Sequence, residues 1–307
     1  MRFAFEPEQL EFRDAARNLL EKECPAPAVR AAWSSDTGRV PGLWDRLVEM
    51  GVFELDEVDS ILVLEETGRA CVPEPVVEAW ALRRTDATLA LDSHPFALYA
   101  DSVDVIAVQL ADELVRGSIG DRRVTVDASR RLFEVHADGE PLDFAVGGID
   151  VVSERATVAA AAQLVGLGQQ MIDMSVAYVS QREQFGQPVG SFQAVKHHLA
   201  DAALRLEFAR PCVYRAAWAL ANVDGASAPG DLRGAVLLAK AQASDAASLA
   251  ARKALQVHGA IGYTVEYDLH MWMKRAWALA AAWGDAAWHR ARARDLLLKG
   301  TADNANA

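Results

Sequence analysis

From residue 152 to the end of the chain, apolar residues recur at helical spacing through four or five long segments joined by very short breaks, about 153–180, 191–223, 231–257, 267–282 and 284–299. Helices of this length with short joins pack as antiparallel neighbours, so this half of the chain reads as a helical bundle. The break at 225–230 is rich in small residues and contains Pro229, the signature of a surface loop. Gly166 and Gly168 lie inside the first long helix, where each costs about 1 kcal/mol against Ala. Such glycines mark the close approach of another backbone or of a flat ligand. Trp272, Trp277, Trp283 and Trp288 do not fall on one helical stripe and read as core or interface anchors.

Residues 1–85 also read as helical. Pro7 suits a first helical position, and Leu10, Phe12, Ala15, Leu19 and Leu20 follow at helical spacing until the run from Pro25 to Pro27 ends the helix. A second helix at 43–50 closes on Gly51, and a third at 59–68 carries Glu65 and Glu66, expected on a solvated face. Between 86 and 150 the period changes. Short β-type runs at 103–110, 123–126 and 132–136 are separated by the turn signals Gly120-Asp121 and Asp138-Gly139. The expected architecture is mainly α, in three parts: an N-terminal helical domain (1–85), a reduced β module (86–150) and a C-terminal helical bundle (151–307).

The formal net charge of −12 over 307 residues argues against a nucleic-acid partner. Cys24, Cys71 and Cys212 are far apart, with neither disulfide-frame nor zinc spacing, and fit buried thiols in a reducing cytoplasm. Residues 1–5 show no basic segment leading into an apolar run, and the Ala-rich stretches are broken by charged or amide residues before membrane-spanning length. A soluble cytoplasmic protein without membrane association is expected, and no His, Asp or Glu set has metal-ligand spacing.

Between the first two bundle helices stands Arg182-Glu183-Gln184-Phe185-Gly186-Gln187-Pro188, followed by Gly190 and Gln193. A permanent cation, amide side chains and an aromatic ring around a glycine turn suit a phosphate-bearing ligand, and equally an ordinary αα-corner capped by Gly186 and Pro188. The run 178–201 resembles the signature of the acyl-CoA dehydrogenase family, and Gln256-Val-His-Gly-Ala-Ile-Gly-Tyr-Thr-Val-Glu266 is similar to its second signature. Weaker matches lie at 42–51 and 64–69. The resemblance implies FAD held across a subunit interface, with Arg182, Gln184, Phe185, Gln193, Gln256, Gly259 and Gly262 reaching the FAD of a neighbouring chain. It also implies an acyl-CoA substrate that loses a proton from the α carbon to a base and a hydride from the β carbon to FAD. An electron-transfer flavoprotein or similar acceptor then takes the electrons.

Three departures from the family pattern bear on function. Ala260 stands where the second signature usually has a glycine. The middle module is short and lacks the loop that covers the flavin ring. In this it resembles the shorter subunits of actinobacterial α2β2 acyl-CoA dehydrogenases, many of them in steroid breakdown, whose larger homologous partner supplies that module. Finally, the late turn that often carries the catalytic glutamate reads Ala282-Trp283-Gly284, and an indole cannot abstract a proton. Glu154, immediately before Arg155, occupies the family's alternative base position. It is either that base, once burial raises its pKa, or a helix N-terminal acid favoured by the macrodipole, with the base on a partner. Glu266 is expected to cap a helix starting near Tyr267 after Thr264, and His197, His198 and His258 to be structural hydrogen-bonders. Self-association into a complete enzyme and a flavin-free scaffold are the competing readings.

Overall fold

A computed structural model describes residues 4–143, 148–223 and 229–305. Five helices come first: α1 (Pro7–Glu23), α2 (Ala26–Ser34), α3 (Leu43–Glu49), α4 (Glu57–Arg69) and α5 (Val76–Leu82). Pro7 stands at the start of α1, as expected, and Glu6 and Gln9 form a reciprocal capping box around it. The proline run that ends α1 also starts α2, with Pro25 as its N-cap and Pro27 in its first turn, where a missing N–H costs nothing. Neither α2 nor α5 was expected from the sequence.

A five-stranded sheet follows, built from β1 (Ala87–Ala90), β2 (Ala97–Leu98), β3 (Val105–Leu110), β4 (Glu113–Arg123) and β5 (Leu132–Pro141) in the order β1-β3-β4-β5-β2. Only β1 and β3 pair in parallel; the other neighbours are antiparallel. The run 123–126 is not a separate strand: β4 ends at Arg123, and Val124 and Val126 are exposed. The next residue, Asp127, is fully buried, because Arg275 draws it into the interior.

The bundle holds α6 (Gly148–Gln181), α7 (Gln193–Ala221), α8 (Pro229–His258), α9 (Leu269–Ala281) and α10 (Ala286–Ala305). The expected helices are all present. The start of the fourth moves to Leu269, with Asp268 at its N-cap, and Thr264 Oγ1 instead donates to the Ile261 carbonyl (2.9 Å). Of the loop expected at 225–230, residues 225–228 lie outside the described residues, while Pro229 and Gly230 open α8.

One continuous core joins α1–α5, the inner strands and the bundle, with α4 at its centre. Burial of α4 overturns the expectation for Glu65 and Glu66. Glu66 takes Arg17 of α1 (2.6 Å), and Glu65 takes Arg210 (3.0 Å) and the Tyr214 hydroxyl (2.8 Å) of α7. Burial raises the Glu65 carboxyl, with Arg210 and Tyr214 opposing the shift. An acid on a central helix stays inside only when cations meet it there.

The glycines of α6 serve packing. A Cβ on Gly166 would sit 1.9 Å from the Glu65 carbonyl oxygen, one on Gly68 of α4 would sit 2.2 Å from the Gln163 carbonyl oxygen, and one on Gly168 would meet Leu206 at 2.7 Å. The backbones of α4 and α6 touch where they cross. Replacing Gly166 by Ala is expected to destabilise the chain by about 2 kcal/mol or more, read as a lower urea midpoint. Gly234→Ala, whose Cβ meets nothing nearer than Leu296 at 3.6 Å, serves as the control and is expected to be neutral or mildly stabilising.

Candidate functional site

At the end of α6 the chain turns back through a hairpin of β6 (Glu183–Gln184) and β7 (Gln187–Pro188). Its two-residue turn is Phe185-Gly186, at φ +54° and +78°. Two successive left-handed residues make the primed turn that fits the twist of paired strands. Glycine takes the second place without cost; Phe185 takes the first at a penalty of about 1 kcal/mol. The turn thrusts the Phe185 ring into solvent, 91% exposed, edge-on to Phe192 at 6.1 Å. The Val189 N–H donates to the Arg182 carbonyl (2.7 Å), closing the base of the hairpin.

The second segment closes α8. His258 ends the helix, and a 3₁₀ turn, Gly259–Tyr263, follows. Gly259 has φ +63°, and nothing lies within 4 Å of where its Cβ would be. Ala260 is exposed and outside the left-handed region, so its methyl costs no backbone strain. Gly262 is buried, and a Cβ there would press on Leu255 and His258 at 3.0 and 3.1 Å.

Tyr178, one helical turn before Arg182, stacks on His258 with ring centroids 4.5 Å apart, and Tyr267 packs edge-on against Tyr178. This aromatic cluster brings the two segments to the same end of the bundle. His258 Nδ1–H donates to the Ala254 carbonyl (2.8 Å), as expected of a structural histidine, while its buried Nε2 has no partner among the described residues. Burial lowers its pKa. Gln193 contacts His197 (2.9 Å), and Gln184 donates to the Glu183 carbonyl (2.7 Å). The exposed side chains of Arg182 and Gln256 make no hydrogen bond or ion pair among the described residues. Beside the hairpin runs an apolar groove of about 430 Å³, lined by Val176, Val179, Pro188, Val195 and Leu199 with Lys196 at its edge.

A second region surrounds Trp283. This residue is 1% exposed and left-handed at φ +58°, and its ring packs on His94 at 4.6 Å. His289 donates through Nε2–H to the Trp283 carbonyl (2.9 Å). Lys240, fully buried in α8, donates to the carbonyls of Gly284 (2.8 Å) and Ala280 (3.2 Å) and to Ser244 Oγ (3.3 Å). Burial pushes the Lys240 ammonium down to about 7, with Asp285 opposing. Burial, with Lys240 adding to it, pushes His289 down to about 4. Sequence reasoning missed Lys240; its signal was a lone cation in an otherwise apolar stretch of α8.

Glu154 lies in the first turns of α6, half-buried. Burial pushes its carboxyl up to about 7; Arg233 of α8 opposes, and Asp150 adds to the push. Its neighbour Arg155 donates to Glu57 (2.9 Å), which also takes Arg83 (2.9 Å) and so fixes the start of α6 against α4. Burial works against Glu57, yet the two arginines hold its carboxyl below the usual range. Among the described residues, no three His, Cys, Asp or Glu side chains are grouped to hold a metal ion, and no helix is long and apolar enough to cross a membrane.

Residues 148–297 match the family profile described as "Acyl-CoA dehydrogenase, C-terminal domain". The acyl-CoA dehydrogenase IpdE2 of Mycobacterium tuberculosis is 32% identical over 298 residues, covering 86% of this chain and 89% of the relative. Its namesake in Mycolicibacterium smegmatis is 31% identical over 300 residues, covering 86% and 90%. Among solved structures, the ChsE4-ChsE5 complex from Mycobacterium tuberculosis superposes with a TM-score of 0.82 at 18% identity, over 97% of this chain and 99% of that one. The chain belongs to the acyl-CoA dehydrogenase family. The structure of a steroid ACAD variant, Tcur3481-Tcur3483, shares the fold at a TM-score of 0.81 and 22% identity, over 96% of this chain and 99% of that one.

Membership of this oxidoreductase family implies FAD, and the hairpin end of the bundle fits its anionic half. The unpaired guanidinium of Arg182 suits a pyrophosphate, the open backbone at Gly259 lets phosphate oxygens approach, and the exposed rings of Phe185 and Tyr263 offer flat faces. Gly262 is buried against Leu255 and His258.

The Trp283 corner gives a pH test. A lysine with a depressed folded pKa contributes stability that is present above its unfolded value of about 10.5 and lost as pH falls to about 7. Urea unfolding is therefore expected to show stability rising across that window in the parent chain. In Lys240→Met that rise is expected to flatten; an unchanged slope would place the buried charge elsewhere.

Proposed function

We propose that this chain is the shorter subunit of an FAD-dependent acyl-CoA dehydrogenase assembled with a larger homologous chain as α2β2, acting in α,β-desaturation of a bulky, steroid-type acyl-CoA thioester. The observation that carries the proposal is the pairing of an open half-site with a closed corner. Arg182, Phe185, Gln256 and Gly259 stand exposed at the end of the bundle, while Trp283 fills the late turn where the family often places its base. A phosphate-gripping surface without its own cover is what a chain contributes to a site completed by another.

When bound, FAD supplies the hydride acceptor. The residues of this chain do the rest by position and charge. Arg182 would neutralise phosphate oxygens by a charge-assisted contact, and Gln193 and Gln256 would donate amide hydrogen bonds to the bound FAD. Gln184 and the Phe185 ring flank them, and Gly259 opens its backbone to the same group. Glu154 is the candidate proton acceptor of this chain. With its carboxyl near neutrality, a useful fraction is ionised at pH 7 and can take an α-proton. Trp283 favours the second reading, in which the base belongs to the larger chain. The names of the steroid ACAD and of the two-chain ChsE4-ChsE5 complex support the substrate class and the assembly by analogy of fold.

Two measurements on the co-expressed complex separate these elements. Arg182→Ala is expected to lower FAD content at least tenfold, read by flavin absorbance per complex, with the assembly intact; full retention removes the half-site assignment. Glu154→Gln is expected to keep the flavin and lower kcat by about 10²–10⁴-fold if Glu154 is the base. The activity limb near pH 7 would disappear with it. Parent-like turnover in Glu154→Gln assigns the base to the larger chain.

A further inference from the structure

Helix α2 belongs to neither signature, yet one face of it grips the segment that follows the second. Arg30 and Trp33 stand three residues apart in α2 and so lie on the same face. The Arg30 guanidinium donates through Nη1 to the Val265 carbonyl (2.6 Å) and through Nη2 to the Glu266 carbonyl (3.3 Å). Its Nε donates to Asp268 Oδ1 (3.0 Å), which Nη2 also reaches. Trp33 packs edge-on against His270, with ring centroids 5.3 Å apart, and Lys274 Nζ lies 5.2 Å from the Trp33 centroid. Arg30 thus reaches groups 235–238 positions away along the chain.

What Arg30 holds is the backbone on either side of Tyr267. It takes the carbonyl of Glu266 before that residue and the carboxylate of Asp268 after it, so both neighbours are tied to one rigid, planar group. His270 Nδ1–H donates to the Tyr267 carbonyl itself (2.9 Å). Fixed in this way, Tyr267 sends its ring into the aromatic cluster, 4.8 Å from the His258 ring and 5.8 Å from that of Tyr178. His258 immediately precedes Gly259, and Tyr178 lies one turn before Arg182. A line of contacts therefore runs from α2 through Tyr267 to both segments of the hairpin end. The stretch it crosses is otherwise lightly held: Ala260, Tyr263, Val265 and Glu266 are exposed, and nothing lies within 4 Å of a Cβ on Gly259. A segment with few buried contacts takes its path from the bonds at its ends.

From these contacts we infer that Arg30 is a positioning residue of the half-site: through Tyr267 it holds the Gly259 turn and Arg182 in the mutual arrangement that receives a phosphate-bearing ligand. The inference rests on the reading of the hairpin end as an FAD half-site. The Arg30 guanidinium is occupied by Val265, Glu266 and Asp268, so it acts through the segment and not on the ligand. Its side chain is 44% exposed, and ion pairs so exposed add little to stability; the clamp orders the site more than it holds the fold.

The test is FAD titration of the co-expressed complex after its flavin has been removed. Arg30→Ala is expected to raise the FAD Kd about tenfold, because the turn is no longer pre-organised. The thermal melt of the flavin-free complex is expected to stay within about 2 °C of the parent, and hydrogen exchange at 259–268 to speed up. Arg30→Lys keeps the charge but cannot span a carbonyl and a carboxylate, so it is expected to recover only part of the affinity. Tyr267→Leu is expected to weaken FAD by a similar factor, and the double variant by no more than either alone, since the two residues act in series. Arg46→Ala, which loses only an exposed pair with Glu49, is the control and is expected to keep the parent Kd. Parent-like affinity in Arg30→Ala, with Arg182→Ala binding FAD weakly, overturns the inference and leaves the half-site standing. Fully additive losses in the double variant, or a melt lowered in step with the affinity, overturn it as well. Parent-like affinity in Arg182→Ala instead overturns the half-site reading, and the positioning role with it.

Discussion

Three parts of the chain that are remote in sequence meet at one guanidinium. Arg275 of α9 is buried, and it pairs with the fully buried Asp127 between β4 and β5. It also donates to Ser129 Oγ (2.8 Å) and to the Val72 carbonyl (2.7 Å) between α4 and α5. Burial works against the charge, but Asp127 more than offsets it and holds Arg275 protonated. The cluster grows through Tyr99, whose hydroxyl donates to the Ser129 carbonyl (2.9 Å). A buried pair of this kind adds little net stability compared with well-packed apolar residues, but it is intolerant of misplacement. It therefore fixes where the sheet and the first helices sit on the bundle.

The second constraint is steric. At Gly68 and Gly166, α4 and α6 touch backbone to backbone, so the inner helix of the N-terminal part enters the bundle almost as one of its members. Once α4 is interior, its acids need cations, and Arg17 and Arg210 reach Glu66 and Glu65 from two different helices. The same logic recurs at Glu57 between Arg83 and Arg155. Ion pairs here sit at the joints between elements rather than on the surface, and they set register more than they add energy.

This explains which parts of the chain were readable from its sequence. Helices α6–α10 carry long apolar periods, and their limits lay within a few residues of expectation, because period and length are local properties. The two signatures were legible as motifs, but that they meet depends on Tyr178 stacking on His258, a contact across 80 positions that no spacing announces. Glu65 and Glu66 were misread because their burial depends on arginines about 50 and 145 positions away. The strand expected at 123–126 has strand-like residues, yet the buried pairing of Asp127 with Arg275 pulls the chain out of the sheet there; a tertiary interaction overrode local propensity. Short helices such as α5, only seven residues long, offer too little period to recognise.

The two ends of the site have opposite physical characters. At the hairpin, the Arg182 side chain and the Phe185 ring are exposed to water, and the strained Phe185 has an edge contact with Phe192. At the Trp283 corner the reverse holds: a left-handed tryptophan, two neutral histidines and a buried lysine are packed against one another, and the Lys240 ammonium closes the turn by its bonds to Ala280 and Gly284. A corner so closed is costly to reopen, since freeing Trp283 would strand Lys240 without its acceptors. The groups of the Trp283 corner are closed off from solvent, whereas the hairpin end presents charge and reach to it. The contrast is one of exposure rather than of satisfied polar groups, since Trp283 Nε1, His94 Nε2 and His289 Nδ1 lie buried in that corner without a partner among the described residues.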